Sequence, residues 1–516
     1  MYIRFHHQKK KKKKKKIIFI LIYLYYFIEQ NTGKWWKITQ ESLPTGSKLL
    51  SIILYSDATT TDTLGKSQLH PIYITLGNIP IWRRNKQDVK QLLGYLAILE
   101  AANKDLVRDT FHKSLRHLLE PIILLKDGID LFINNENTWF YPRVSTIIAD
   151  WPEAASFYLV YKSSNSNLPC YSCLVKRENL ANIDLSVNDV ILRTYDEMRK
   201  HFENDTQRSV YIESVHNFFL GFTISMQKNI NIYLATVPDR MHHLDLRLFR
   251  YQIIFTCDIL KLQHVNDNKL VEEIDHRLAA IPCFPGIKIF SNGLQSIARL
   301  TASEYRSLMK VMIFVIDNLY DENNNEVDNF VNNDDLTKLY EYWNEMYILS
   351  RYEEFSESDL EKFNICIKIL DAIHRWVRMF VKAFKFVSPS NLKLPKLHLW
   401  VYHIIDSIRS YGAINGYTTE TYESLHKYFV KIPYRISNKK DVEPQLLRTV
   451  MNPAKTPRTC KFSARLFEFS LQDANTFFNE KKDSVDNKMQ TGFARFISCL
   501  DSYLDLLDGF TIIGET

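Results

Sequence analysis

Short apolar runs separated by polar turns characterise the first third of the chain. Residues 49–55 and 144–149 are almost continuously apolar, and each run predicts a buried β-strand because it is too short for a typical helix. Residues 72–76 predict another strand, and apolar positions at helical spacing predict a helix over 88–102. Residues 49–162 are therefore predicted to form a mixed α/β unit.

The pattern changes after residue 162, where apolar positions recur at spacings of three and four. This periodicity is typical of helices that bury one face, and strand signals are few. Helices are predicted over 187–201, 244–262, 302–320, 335–350, 359–386 and 396–411, and over a segment from Thr418 or Thr419 to Lys431. The second part of the chain is thus predicted to be mainly helical.

Composition narrows the possible functions. The formal charge of +7 depends on the eight lysines Lys9–Lys16, without which it would be −1, so a uniformly basic nucleic-acid coat is excluded. The 46% hydrophobic content is ample for a buried core. No glycine-rich phosphate loop of the dinucleotide-binding or P-loop type is present. Seven cysteines, an odd number with only one close pair, indicate a reducing compartment.

The first 34 residues differ from the rest. Residues 17–28 are apolar and follow the lysine run, so residues 9–28 could anchor the protein in a membrane. As a helix, however, residues 17–28 would span only about 18 Å of a hydrocarbon core that is about 30 Å thick. A low-complexity start without structure, and a nuclear-import or DNA-binding tail, are the other two interpretations.

Two of the predicted strands end at aspartates, Asp57 and Asp150. Carboxylates at neighbouring strand ends come close together and need a cation between them, for which Mg²⁺ or Mn²⁺ is suited. A third carboxylate from a helix would complete a two-metal site for phosphodiester chemistry. Taken singly, each aspartate could also be an ordinary turn residue or helix cap.

Glu420 and Glu423 are the candidates for the third carboxylate. They lie three residues apart and would share one face of a helix, although an acidic helix start explains them equally well. A basic stretch follows, which suits contact with a phosphate backbone or with solvent alone. Its DNA-binding candidates are Lys431, Arg435, Lys439 and Lys440.

Cys170 and Cys173 have the spacing of half a tetrahedral zinc site. The adjacent His242 and His243 are the best candidates for the other half, and one of the two is expected to bind the metal. Two unrelated thiols remain the alternative. A thioredoxin-like redox motif lacks its usual context of strands and helix.

Taken in order, these segments resemble the Plavaka group of fungal DNA transposases, which are similar to CACTA-type elements. No single motif carries the resemblance, but the ordered set from about residue 35 to about 455 does. The segments are Ile53–Thr59, Pro71–Ile79, Ile148–Glu153, the Cys170/Cys173 pair, Asp239–His243, Thr419–His426 and Pro433–Asp441.

The resemblance implies an RNase H-like mixed-sheet core interrupted by a large all-helical insertion. Asp57, Asp150 and Glu423 would be the catalytic carboxylates that hold Mg²⁺ or Mn²⁺, with Glu420 as the neighbour that stays open. Cys170, Cys173 and a histidine of the 242–243 pair would bind structural Zn²⁺. The expected partners are transposon ends, target DNA and further copies of the chain, in the nucleus; a membrane is not expected.

The expected organisation has five parts. Residues 1–34 form the N-terminal segment, 35–165 and 406–455 the two parts of the catalytic core, 166–405 the helical insertion and 456–516 the tail. The expected function is metal-dependent DNA strand cleavage and transfer by a DDE-type transposase or its decayed or co-opted relative. A non-catalytic DNA-binding protein on the same scaffold and a membrane-anchored protein are the alternatives.

Overall fold

The computed structural model describes most of the chain between Tyr26 and Met451. The described residues are 26–61, 67–133, 135–161, 166–219, 232–263, 269–288, 290, 293–294, 297–320, 330–360, 369–440 and 442–451. The chain divides into two compact units, Met1–Leu447 and Arg448–Thr516. In the second unit only residues 448–451 are described, as the end of a helix, so the predicted tail of 456–516 lies outside the described residues.

A mixed β-sheet forms the centre of the first unit. Among the described residues, six strands belong to this sheet, and two further strands pair separately. The strands are β1 (Tyr26–Phe27), β2 (Lys48–Ser56), β3 (Thr59–Thr60), β4 (Gln68–Leu76), β5 (Gln91–Leu96), β6 (Ile129–Ile133), β7 (Glu136–Ile148) and β8 (Phe355–Ser356).

The order of the strands puts β2 in the middle of the sheet. The sheet runs β3-β4-β2-β7-β6, and β5 also pairs with β4. β2 is antiparallel to β4 and parallel to β7, so the carboxyl ends of β2 and β7 lie side by side. The predicted strands at 49–55, 72–76 and 144–149 are thereby confirmed as parts of β2, β4 and β7.

Helices account for most of the remaining described residues. They are α1 (Lys34–Glu41), α2 (Ile81–Arg84), α3 (Lys104–Leu124), α4 (Trp151–Tyr158), α5 (Tyr195–Glu203), α6 (Ile232–Ala235), a π-helical turn (Met241–Leu248) that continues into α7 (Phe249–Gln263), α8 (Lys269–Ala280), α9 (Ala302–Ile316), α10 (Asn333–Leu349), α11 (Glu357–Leu360), α12 (Ile369–Phe384), α13 (Pro395–Tyr411), α14 (Glu420–Glu423), a second π-helical turn (Lys427–Lys431), α15 (Ile432–Ile436) and α16 (Val442–Met451). The mainly helical second part is thus confirmed.

Both faces of the sheet are covered, which explains why β2 is apolar almost throughout. Ile53 and Tyr55 pack with the helical part of the chain, whereas Ile52 and Leu54 pack on the opposite face among α3 and α4. Side chains alternate between the two faces of a strand, so a strand between two layers has no solvent-facing positions.

The helix predicted over 88–102 is wrong. Residues 91–96 form strand β5 instead, and the helix begins only at Lys104, where the Asn103 side chain caps it. The leucines at 92, 93 and 96 fit a helical repeat, but β5 completes the hydrogen bonds of β4, and this tertiary pairing overrides the local pattern. The predicted helix from Thr418 or Thr419 to Lys431 is present in two pieces, α14 and a π-helical turn.

Candidate active site and candidate metal centre

Asp57 and Asp150 lie at the same edge of the sheet. In the parallel pair of β2 and β7, Tyr55 is opposite Ile148, and each aspartate follows its strand two residues after that pair. The carboxyl ends of the two strands therefore carry neighbouring carboxylates, as the sequence pattern predicts.

Asp57 is surrounded by negative charge. Burial, followed by the charges of Asp150 and Glu423, raises the pKa of Asp57 to about 7, although His242 acts in the opposite sense. The Tyr55 hydroxyl donates a hydrogen bond to Asp57 Oδ2 at 3.2 Å. A partly buried carboxylate with two carboxylates nearby favours either a proton or a cation, because its ionised form is destabilised.

Asp150 also caps a helix. Its Oδ1 accepts a hydrogen bond from the Glu153 backbone N–H at 3.0 Å, at the start of α4. Asp150 therefore does act as a helix cap, but capping uses only its Oδ1 and leaves Oδ2 for another ligand.

Glu423 reaches the two aspartates from a distant part of the sequence. It ends the short helix α14, and its Oε1 lies 3.3 Å from His242 Nε2. Burial and the charges of Asp239 and Asp150 raise the pKa of Glu423, which His242 partly opposes. The three carboxylates that the sequence singles out thus influence one another electrostatically.

Glu420 belongs to the same helix but faces a different environment. Three guanidinium groups surround it, those of Arg306 at 3.0 Å, Arg240 at 3.8 Å and Arg351 at 4.0 Å. A carboxylate neutralised by three cations is a poor ligand for a divalent metal ion, because the arginines repel that ion. The geometry therefore favours Glu423 over Glu420 as the third carboxylate.

Four buried side chains form a Cys₂His₂ cluster. Cys170, Cys173, His398 and His403 each offer one ligand atom, and these atoms all lie within 4.8 Å of one another. Cys170 Sγ is 3.7 Å from His403 Nε2, and Cys173 Sγ is 3.2 Å from His398 Nε2. Tetrahedral zinc with ordinary bond lengths would separate sulfur and nitrogen by about 3.6 Å, so the cluster could hold such a metal.

The pKa shifts of Cys170 and His398 favour the protonation states in which these two residues bind a metal. Burial raises the pKa of Cys173 and would raise that of Cys170, but hydrogen bonds from Cys173 and the histidines together with the charge of His403 lower the pKa of Cys170. Burial lowers the pKa of His398, which favours neutral imidazole. A thiolate and a neutral imidazole are the forms that bind metal.

The assignment of His242 or His243 to this cluster is corrected by the structure. His242 Nδ1 lies 2.9 Å from Asp239 Oδ2, and its Nε2 faces Glu423. His243 Nδ1 donates to the Asp239 backbone carbonyl at 2.7 Å. The two histidines of the cluster come instead from α13.

Sequence reasoning missed His398 and His403, although a signal was present. The two residues are separated by four others, which is within the spacing of three to five residues that histidine ligands of structural zinc sites adopt. The adjacent histidines at 242 and 243 lie inside a segment of the resemblance, whereas His398 and His403 lie outside all of its segments.

A comparison with known protein families bears on these sites. Residues 25–254 match the family model of the Plavaka transposase. The resemblance is confirmed for this part of the chain, and the finding supports a Plavaka-type transposase. No curated protein matches the chain.

The Plavaka match covers part of each site. Asp57, Asp150, the Cys170/Cys173 pair and Asp239–His243 lie inside the matched range. Glu423 and the two histidines of the Cys₂His₂ cluster lie beyond it, and contacts in the fold bring them to the matched residues.

The basic residues after Glu423 are exposed. Lys431, Arg435, Lys439 and Lys440 face solvent, and within the described residues none forms an ion pair with a carboxylate. Lys431 is near enough to lower the pKa of Glu423, against the effect of burial. Of these four residues, Lys431 is therefore the one that the structure links to a carboxylate of the site.

No described helix is both long and apolar enough to cross a membrane. The segment 9–28, on which a membrane anchor would depend, lies almost entirely outside the described residues.

We predict that Asp57→Asn stabilises the protein when no Mg²⁺ or Mn²⁺ is added. The pKa of Asp57 is about 7 in the fold against an ordinary 3.8, so the native state holds a proton that the unfolded chain has lost. Stability therefore falls as pH rises from about 4 to about 7, and asparagine removes this penalty. The free energy of unfolding at pH 8 should rise by about 1–3 kcal/mol.

Urea denaturation at pH 8 and at pH 5 measures this effect. The gain should be smaller at pH 5, and Asp130→Asn, a change of the same type at an exposed position of β6, should have little effect at either pH. If Asp57→Asn were less stable than the wild type at pH 8, the claim that burial and nearby carboxylates destabilise ionised Asp57 would be wrong.

Proposed function

We propose that this chain is a DDE-type DNA transposase, or a decayed or co-opted relative, whose site cleaves and transfers DNA strands with Asp57, Asp150 and Glu423 as the metal-binding carboxylates. The observation that carries the proposal is the proximity of these three carboxylates: burial, followed by the charges of Asp150 and Glu423, raises the pKa of Asp57 to about 7. The Plavaka family match suggests a transposase independently of that geometry.

The topology supports an RNase H-like core. The central strand β2 has an antiparallel partner on one side and a parallel partner on the other, and helices cover both faces of the sheet. Asp57 and Asp150 follow the two parallel strands, whereas Glu423 arrives after a long helical region. This order agrees with a core that a helical insertion divides.

The donor set fits two divalent cations. Carboxylate oxygens are the preferred ligands of Mg²⁺ and Mn²⁺, and like charges at close range are stable only with a cation or proton among them. When bound, such ions lower the pKa of an attacking water or 3′-hydroxyl and stabilise the leaving oxygen. The protein holds the three carboxylates in place and excludes part of the solvent.

The basic face supports DNA as the partner. Lys431, Arg435, Lys439 and Lys440 are exposed, and Lys431 is close enough to Glu423 to affect its pKa, so a DNA strand that lay along them would approach the carboxylates at Lys431. Transposon ends and target DNA are the proposed substrates, further copies of the chain the proposed partners, and the nucleus the proposed compartment.

The Cys₂His₂ cluster is proposed to bind a structural zinc ion. Two cysteines and two histidines occupy all four positions of a tetrahedral ion, so no open position is left for catalysis. The zinc would join the loop after α4 to α13, which means that it would fasten the core to the helical part.

The first test of the function measures nicking of supercoiled DNA, and strand transfer with the sequences that flank the coding region, in Mg²⁺ or Mn²⁺. Asp57→Asn, Asp150→Asn and Glu423→Gln should each reduce the rate by at least about 100-fold, because a metal ligand is lost. Asp130→Asn should keep the wild-type rate.

Glu420→Gln separates the two glutamates. The folded fraction of each variant is measured by thermal denaturation. Per folded molecule, Glu420→Gln should keep most of the wild-type nicking activity, whereas Glu423→Gln should lose that activity although it is folded. Equal activity of the wild type and all three carboxylate variants would show that these residues do not carry the reaction. A protein that binds DNA without cleaving it would instead indicate the non-catalytic alternative.

Zinc is tested by metal analysis and stability. Cys173→Ser should abolish zinc binding and lower the free energy of unfolding by about 3–5 kcal/mol, because the other three ligands stay buried without a metal ion. Cys257→Ser, the same change at a thiol on α7, should keep the zinc. Wild-type protein that contains no zinc, and whose melting temperature does not change when zinc is added, would contradict the assignment.

DNA binding is tested by its salt dependence. Replacing both Lys431 and Arg435 with glutamine should weaken binding to any duplex and reduce the slope of log K against log salt by about 2. The matched control replaces Lys310 and Lys338, exposed on α9 and α10, and should change the slope little. Equal slopes for the two double variants would remove the proposed DNA face.

A further inference from the structure

We propose that Asp239 and His242 form a clamp that positions Glu423 for metal binding. The inference rests on the proposed function, because it explains how a carboxylate from a distant segment is held beside Asp57 and Asp150. Asp239 and His242 are positioning residues in this proposal, and neither is required to touch a metal or DNA.

Asp239 is the fixed point of the clamp. Its side chain is fully buried, and its two oxygens accept five hydrogen bonds. Oδ1 accepts from the Thr419 backbone N–H at 2.8 Å and from the Thr418 hydroxyl at 3.3 Å. Oδ2 accepts from the Thr419 hydroxyl at 2.8 Å, from the His242 backbone N–H at 2.7 Å and from His242 Nδ1 at 2.9 Å. A carboxylate with this many donors has one allowed orientation.

The same carboxylate fixes the helix that carries Glu423. Thr419 immediately precedes α14, and its backbone carbonyl accepts a hydrogen bond from the Glu423 N–H at 3.0 Å. Asp239 therefore fixes the residue that immediately precedes a single helical turn whose last residue is Glu423. A four-residue helix has too few internal hydrogen bonds to hold its position alone, so this external anchor decides where Glu423 lies.

His242 completes the clamp from the side-chain end. One ring nitrogen is held by Asp239, and the other lies 3.3 Å from Glu423 Oε1. Lys396, which lies on α13, donates a hydrogen bond from its Nζ to the His242 backbone carbonyl at 3.2 Å and so restrains His242. The imidazole thus works as a rigid spacer that restrains one oxygen of Glu423 and leaves the other for a cation. Partners of this kind orient metal ligands in many sites.

A purely structural role for His242 predicts the opposite effects of substitution. If His242 served only to satisfy the buried Asp239, its contact with Nδ1 would matter and its contact with Glu423 would not. Two substitutions separate the two contacts. Asparagine places an amide near the position of Nδ1 and cannot reach Glu423, whereas glutamine places an amide near Nε2 and gives up the hydrogen bond to Asp239.

The experiment uses the full chain with its zinc and titrates it with Mn²⁺, which is followed by electron paramagnetic resonance. His242→Asn should weaken Mn²⁺ binding by about 10-fold or more, and His242→Gln should weaken it less. Melting temperatures without Mn²⁺ should follow the reverse order, with His242→Gln the less stable variant. Nicking rates should follow Mn²⁺ affinity rather than melting temperature.

Two outcomes overturn the clamp. Either His242→Asn binds Mn²⁺ as the wild type does, or His242→Gln is the more impaired variant in both Mn²⁺ affinity and stability. Asp57→Asn, titrated in parallel, tests the proposed function separately. If it binds Mn²⁺ as the wild type does, the carboxylate site itself is wrong; if it loses Mn²⁺ while His242→Asn does not, only the clamp is wrong.

Discussion

Repulsion among carboxylates is the constraint on which the arrangement of this site depends. Asp57 and Asp150 are forced together by the parallel pairing of β2 with β7, because hydrogen bonds of the sheet fix the distance between the strand ends. Burial raises the free energy of the ionised form of Asp57, and the charges of Asp150 and Glu423 raise it further. The surrounding fold keeps these carboxylates together against their mutual repulsion, which is typical of functional sites.

The opposing force comes from neighbouring hydrogen bonds. Burial would raise the pKa of Asp239, but hydrogen bonds from His242 and Thr419 outweigh it and lower that pKa. Burial would likewise lower the pKa of His242, and its contacts with Asp239 and Glu423 raise it. A permanently ionised Asp239 with five donors therefore stabilises the segment that brings Glu423 to the aspartates. The acidic site and its buried anchor have opposite pKa shifts because only the anchor is saturated with donors.

Much of the fold could be predicted from the sequence, but less of the site. The runs at 49–55 and 144–149 predict strands correctly, because strands buried on both faces are apolar throughout. Residues 91–96 do not predict their strand, since their leucines fit a helix and only the pairing with β4 makes them a strand. Spacing alone could not separate Glu420 from Glu423, because both positions satisfy the same helical pattern. Three arginines from α9, the 239–243 segment and the loop after α10 make the distinction, and such tertiary neighbours leave no trace in local sequence.

The two candidate centres are joined through one helix. α13 begins at Pro395, and within its first turns it supplies Lys396, which restrains His242, and His398, which belongs to the Cys₂His₂ cluster. Two residues of a helix are about 3 Å apart along its axis, so a shift of His398 moves Lys396 with it. The position of His242 therefore depends on the cluster as well as on Asp239. A metal that fixed the four cluster residues would act on Glu423 from a distance, through the backbone of α13 and without any contact to DNA.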